Sequence, residues 1–172
     1  MTARITLGID PGMSGAIAAL LDGEPGPVLD MPTMQVGNKH EVDARSIAVF
    51  VRGLKQAHPA AVLSGTVERV RAMPPRDGQR PGAQSSMNFG ESYAKAKAVL
   101  EVMGIPFSLA EPASWKRYFG LQGKPKDASR QLAIARFPSA AHLLQRKKDD
   151  GRAEALLLAL WHEQTQQARG AA

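Results

Sequence analysis

Hydrophobic and polar positions change rhythm along this chain. The first seventy residues alternate short apolar runs with polar breaks, and the rest moves to longer helical periods. Arg4 to Asp10 is apolar at Ile5, Leu7 and Ile9, the period of two expected of a strand, and it ends on an acid. Pro11-Gly12-Met13-Ser14-Gly15 follows as a turn. Ala16 to Leu21 is a second apolar run, Asp22-Gly23 is a turn signal, and Pro27 to Met31 completes a predicted three-stranded antiparallel meander. Residues 33–42 are polar and read as irregular. Asp43 is placed to cap a helix from Ala44 to about Gln56, with Ile47, Phe50, Val51 and Leu54 on one face. Ala60 to Val67 predicts a buried strand that delivers Glu68 at its end.

Residues 71–86 contain Arg71, Arg76, Arg80, paired prolines and glycines, and read either as a solvated loop or as a basic arm for a phosphate backbone. A long helix is predicted from about Ser85 to Met103, with Phe89, Tyr93, Ala96, Val99, Leu100 and Met103 on one stripe. Gly104 and Pro106 stop it. The small residues Ala94 and Ala98 suit close packing against a sheet or a second subunit. Ile105 to Leu109 predicts a strand, and Pro112 to Phe119 a short helix mixing basic and aromatic residues. Lys124-Pro125-Lys126-Asp127 opens a helix to about Arg136, with Ala128, Leu132 and Ala135 inward. A turn through 139–145 leads to the last helix, apolar at Ala153, Leu156, Leu157, Leu160 and Trp161. This order predicts an α/β architecture, a mixed five-stranded sheet flanked by helices. No repeat or linker divides it, so residues 1–172 read as one domain.

The last helix contains an anomaly. At about 100° per residue, Asp150 projects into the apolar sector and Glu154 lies roughly 40° away. A buried carboxylate costs several kcal/mol, of order, unless it is paired, protonated or bound to a cation. No protein cation is evident from the sequence. Capping by Asp149 or Asp150 explains one aspartate and leaves Glu154 unexplained. A metal site completed from elsewhere explains both. Asp10 and Glu68 sit at strand ends, and the ends of central strands lie side by side. Taken alone, Glu68 fits a solvated edge better than a site. Four carboxylates meeting there require counter-charge, and hard divalent ions with oxygen ligands, Mg²⁺ or Mn²⁺, provide it.

Composition narrows the chemistry. The 172 residues include no cysteine, which excludes disulfides, zinc–thiolate sites and thiol nucleophiles. A formal charge of +6 favours a polyanionic partner. Aromatic residues are only 5%, which weighs against reading single strands by base stacking. The turn after the first strand lacks a following Gly-Lys-Ser/Thr, so it is no P-loop. No apolar run approaches the ~20 residues of a membrane span, and no signal-peptide pattern begins the chain. The expected location is cytoplasmic.

The strand Gly8-Ile9-Asp10-Pro11-Gly12 with Gly15, the strand ending Val67-Glu68, and the helix Asp149-Asp150-Gly151-Arg152-Ala153-Glu154-Ala155 together resemble the RuvC-type Holliday junction resolvases, especially phage and prophage members. The resemblance runs in order through nearly the whole chain. It implies a ribonuclease H-like fold and a Mg²⁺-dependent homodimer, with Mn²⁺ able to substitute, that cuts two opposed strands of a four-way DNA junction. It also implies metal ligation and catalysis by Asp10, Glu68, Asp150 and Glu154, with two ions per site. The fourth acid of the family is often aspartate, and some members space the last pair i, i+3. Asp149 is therefore the alternative third ligand; Asp150 is preferred because it lies one turn from Glu154 and faces the same way.

Lys124, Lys126 and Lys148 are candidates to stabilise charge on the phosphate. Arg69, Arg71, Arg76, Lys116 and Arg117 are candidate phosphate contacts. Each also reads as a solvated surface side chain. Met73 and Phe89 are candidates for a wedge at a junction centre, or for loop and core packing. His40, His58, His142 and His162 read as surface or loop residues. Three other functions are compatible with parts of the sequence. A nuclease of the same fold acting on other branched or single-stranded nucleic acid needs the same acids. A non-cleaving junction-binding protein does not need them. An actin-like phosphotransferase needs a second lobe that 172 residues do not provide.

Overall fold

The computed structural model describes residues 3–70 and 82–170. Three antiparallel strands open the chain: β1 (Arg4–Asp10), β2 (Ala16–Leu21) and β3 (Glu24–Asp30). The hairpin β4 (Thr33–Val36) and β5 (Lys39–Val42) follows, then α1 (Ala44–Ala57), β6 (Val62–Glu68), α2 (Ala83–Val102) and β7 (Phe107–Ala110). Three helices complete the order: α3 (Pro112–Tyr118), α4 (Ala128–Arg136) and α5 (Asp150–Gly170). Short 3₁₀ turns at Pro138–Leu143 and Lys147–Asp149 join the last two. The main sheet runs β3-β2-β1-β6-β7, with β1, β6 and β7 parallel and the first three strands antiparallel. This is the mixed five-stranded α/β sheet expected from the sequence.

Strand alternation divides the interior into two cores. Ile5, Leu7 and Ile9 of β1 join Ile17 and Ala19 of β2 against Ile47, Val51 and Leu54 of α1 and Ala96, Val99 and Leu100 of α2. The opposite face, with Ala16, Ala18 and Leu20, packs on Leu156, Leu157 and Leu158 of α5 and on Trp115 of α3. Asp43 caps α1, accepting hydrogen bonds from the amides of Arg45 at 2.9 Å and Ser46 at 3.3 Å.

On its α5 face, β1 is nearly bare. A Cβ at Gly8 would lie 2.0 Å from the Ala155 carbonyl oxygen and 2.5 Å from the Ala159 nitrogen. At the start of the helix, a Cβ on Gly151 would lie 2.5 Å from Ser14 O. Gly151, Ala155 and Ala159 recur every fourth residue, so one narrow edge of α5 rests directly on strand and turn backbone. Gly15 completes the fit, because a Cβ there would lie 2.2 Å from Asp10 O.

Several sequence expectations change. Residues 33–42 are a paired hairpin, with Thr33↔Val42 through Val36↔Lys39 in register around Gly37 at φ 58°. Only Val42 of it is buried, so it shows no alternation of buried and exposed side chains. Ala94 and Ala98 lie on the exposed side of α2, away from the buried stripe. The helix expected to open at Lys124 begins at Ala128, because the Ala128 amide first closes a turn onto Pro125 O. The loop 71–86 lies largely outside the described residues.

Gly8→Ala therefore forces α5 off the sheet. Its urea midpoint should fall by an amount equivalent to at least ~1–3 kcal/mol, the range of core overpacking. A melt unchanged from the parent protein would contradict the contact.

Candidate active site

Parallel register sets the first pair of acids. Ile9 pairs with Val67, and the next residues on the two strands are Asp10 and Glu68, both where the chain leaves the sheet. The first turns of α5 add Asp150 and Glu154, whose side chains keep only 15% and 16% exposure. The turn Pro11–Gly15 closes through Gly15 N to Gly12 O at 2.9 Å, and the Gly12 amide donates to Asp10 Oδ1 at 3.3 Å. The four carboxylates thus belong to three segments that only tertiary packing unites.

Each acid has protein partners. The indole N–H of Trp115 donates to Glu68 Oε1 at 2.9 Å. Ser129 Oγ donates to Glu154 Oε1 at 3.1 Å, and Lys116 Nζ lies 3.3 Å from the same oxygen. Lys126 Nζ pairs with Asp150 Oδ2 at 2.5 Å. Protein cations therefore do meet the acids of the last helix, contrary to the sequence reading. Tertiary folding brings them from α3 and the loop before α4, so no local spacing announces them.

Asp149 stands apart from this group. It is 3% exposed and takes the Arg146 backbone N–H at 2.7 Å and the Arg146 guanidinium at 2.7 and 2.9 Å. These bonds hold its carboxyl below the usual range, against the opposing effect of burial. Asp149 fixes the turn entering α5. Arg152 braces the same turn through paired bonds to Asp30 and one to Leu143 O.

Burial, then the charges of Glu68 and Glu154, push Asp10 up to about 7. Glu68 is also raised, chiefly by burial, with Glu154 adding to it and the Trp115 hydrogen bond opposing it. Lys126 is raised by its bond to Asp150. The cluster holds more negative charge than its two lysines offset. No three His, Asp or Glu side chains among the described residues are disposed to hold a metal ion as they stand. The donor chemistry nonetheless fits a hard divalent cation: four carboxylates, a deficit of positive charge, and an exposed lysine, Lys126, as the partner of Asp150.

Beside the acids opens a cleft of about 540 Å³, with Glu154 in its wall and Lys116, Lys124 and Lys126 around it. Lys126 is 83% exposed. Lys124, Arg117 and Lys148 are exposed. Arg69 pairs with Glu111 at 2.8 Å. Phe89 lies against the turn after β1, its Cε2 3.7 Å from where a Cβ on Gly12 would sit. Arg71, Met73 and Arg76 lie outside the described residues. His40, His58 and His142 are exposed, but His162 is buried on α5, with its Nδ1 3.1 Å from Ser108 Oγ. Sequence reasoning missed Trp115 and Ser129 as partners of the acids; a tryptophan directly before Lys116 was the one available sign.

No family model matches the chain. Over 137 residues, 79% of its length, it is 34% identical to the chloroplastic Holliday junction resolvase MOC1 of Chlamydomonas reinhardtii. The chain spans about 15% of the length of that curated relative. Among solved structures it is similar to Thermus thermophilus RuvC, with a TM-score of 0.58 at 15% identity over 96% of both chains. The same protein in complex with a Holliday junction substrate gives a TM-score of 0.56 at 13% identity, again over 96% of both. The fold is thus that of RuvC, and the sequence is similar to part of a chloroplastic Holliday junction resolvase.

The raised Asp10 has a measurable consequence. Its folded pKa lies above the unfolded value of 3.8, so the native state binds the extra proton between about 4 and 7. Stability without divalent cations should fall as pH rises through that window, by at most about 4 kcal/mol from this group. Asp10→Asn removes the penalty. In EDTA its melting temperature should exceed that of the parent at pH 8, and the gap should close towards pH 4. A gap independent of pH would refute this origin.

Proposed function

We propose that the chain is a structure-selective endonuclease that resolves four-way DNA junctions by paired, symmetric phosphodiester hydrolysis. The observation that supports this best is the meeting of Asp10, Glu68, Asp150 and Glu154 at one corner of a RuvC-like sheet, in a chain kindred to a junction resolvase. In this reading residues 1–172 form a single nuclease domain. The four carboxylates hold two divalent ions, Mg²⁺ in the first place and Mn²⁺ as a substitute, with Asp150 rather than Asp149 as third ligand.

When bound, such ions supply a water of lowered pKa and a Lewis acid for the departing 3′ oxygen. The protein does the rest. Asp10 and Glu68 are fixed to strand ends, so their oxygens hold position while the substrate changes shape. Ser129 keeps the Glu154 carboxylate turned towards the cleft. Lys116, Lys124 and Lys126 stand where a phosphate enters, and offset the charge that grows on it. Arg117 and Lys148 extend the basic surface; Arg69, Arg71 and Arg76 are further phosphate contacts in the same reading. Several such contacts make affinity fall steeply with salt. Cutting two opposed strands of one junction requires two sites related by a two-fold axis, so the acting species is a homodimer.

A synthetic four-way junction tests this directly. The parent protein should give paired nicks in Mg²⁺ and none in EDTA. Asp10→Asn should bind the junction yet cleave it at least ~10³-fold more slowly, the loss expected when several kcal/mol of transition-state stabilisation disappear. Binding by the parent protein without cleavage in any divalent cation would overturn the nuclease and leave a junction-binding protein. Equal cleavage of linear single strands would overturn the structure selectivity.

A further inference from the structure

Trp115 is fully buried in the core between α5 and the sheet. An indole N–H in such a place needs an acceptor, and one left without would cost about 1–3 kcal/mol. Here the acceptor is a carboxylate oxygen, Glu68 Oε1, at 2.9 Å. Burying a tryptophan against a carboxylate is a poor way to build a core alone, since phenylalanine or leucine would pack without a polar atom. The indole has properties that suit an orienting role. It donates one hydrogen bond in a direction fixed by the ring, and it has no lone pair with which to compete for a cation. It engages one oxygen of Glu68 and leaves Oε2 to another partner. The same ring lies 5.0 Å beneath Lys116 Nζ, which reaches Glu154 at 3.3 Å. Two consecutive residues of α3 thus hold two acids that come from different parts of the fold.

We propose that Trp115 is a positioning residue for metal binding: its buried indole N–H fixes the Glu68 carboxylate so that the free oxygen faces a divalent cation. This rests on the nuclease reading and adds to it a residue that touches neither substrate nor ion. It also makes Trp115 an intrinsic reporter of the site, because cation binding at Glu68 alters the environment of the indole.

The protein has two tryptophans, so Trp161→Phe leaves Trp115 as the sole emitter. With that variant, Mg²⁺ titration should change the emission saturably, and adding Glu68→Gln should abolish the change. Trp115→Phe in the otherwise native chain should raise the Mg²⁺ concentration giving half of the cation-induced melting shift by about 10–100-fold, the usual effect of losing an orienting partner of a metal ligand. Its junction affinity in EDTA should stay within about twofold of the parent. If Trp115 emission ignores Mg²⁺ while cleavage still requires it, or if Trp115→Phe leaves the midpoint within about twofold, the residue only packs and the proposal fails. The fluorescence arm needs no change at Trp115, so poor folding of Trp115→Phe does not shelter the idea. Indifference of the parent's cleavage and melting to every divalent cation would instead defeat the nuclease reading, and this inference with it.

Discussion

The contact between the backbone of α5 and the bare strand β1 governs the rest of the structure. Helices normally sit about 10 Å from a sheet, held off by side chains on both surfaces. Here Gly8 offers no side chain, and Ala155 and Ala159 offer almost none, so helix and strand backbones meet directly. Gly151 lets the first turn of the helix settle on the turn after β1, and Gly15 lets that turn fold back on Asp10. Short carboxylate side chains from helix and strand can approach one another only across such a narrow gap. With ordinary residues at these positions, Asp150 and Glu154 would stand a side chain's thickness away from Asp10 and Glu68.

Close approach has an electrostatic cost that the fold partly offsets. Asp10, with a folded pKa of about 7, is the clearest mark of it: burial and two neighbouring acids work against its ionisation. Lys116 and Lys126 come from α3 and from the loop before α4, and each takes one acid of α5. Both acids on α5 are thus compensated by lysines from other elements. The two on the sheet depend on an amide, at Gly12, and an indole, at Trp115. The arrangement separates acids held by an amide and an indole from acids paired with lysines. A lysine as exposed as Lys126 is already well hydrated and can turn from its partner to another anion.

Where a pattern repeats along the chain, the sequence was legible. Period two in β1, the capping Asp43 and the strand-ending positions of Asp10 and Glu68 all follow from local chemistry. The hairpin at 33–42 was not legible, because a ribbon exposed on both faces has no buried side to write an alternating pattern. His162 was misread as a surface residue for a related reason: its partner, Ser108, lies on β7, far away in the chain. The pairing of Lys116 and Lys126 with the acids, and the bond from Trp115 to Glu68, left no sign for the same cause. A partner supplied by tertiary packing leaves no spacing to read. Gly151, Ala155 and Ala159 did leave one, at every fourth residue, but small residues on a helix look like weak packing until the bare strand opposite them is known.

The adjacent aspartates Asp149 and Asp150 show how tertiary contacts divide roles that sequence leaves equivalent. Both precede the same helix, and either suits a cap. Asp149 turns inward and spends both oxygens on Arg146, whose backbone and guanidinium hold it from two sides. A carboxylate so engaged would have to break several charge-assisted bonds before it could serve a cation, at roughly 1.5–3 kcal/mol each. Asp150, about 100° further round the helix, meets one exposed lysine whose departure costs far less. Arg152, two residues along, locks the helix start onto Asp30, so the direction in which Asp150 points is set by residues that never touch it. Asp149 with Arg146, and Arg152 with Asp30, fix the start of the helix, while Asp150 keeps a single ion pair, to Lys126.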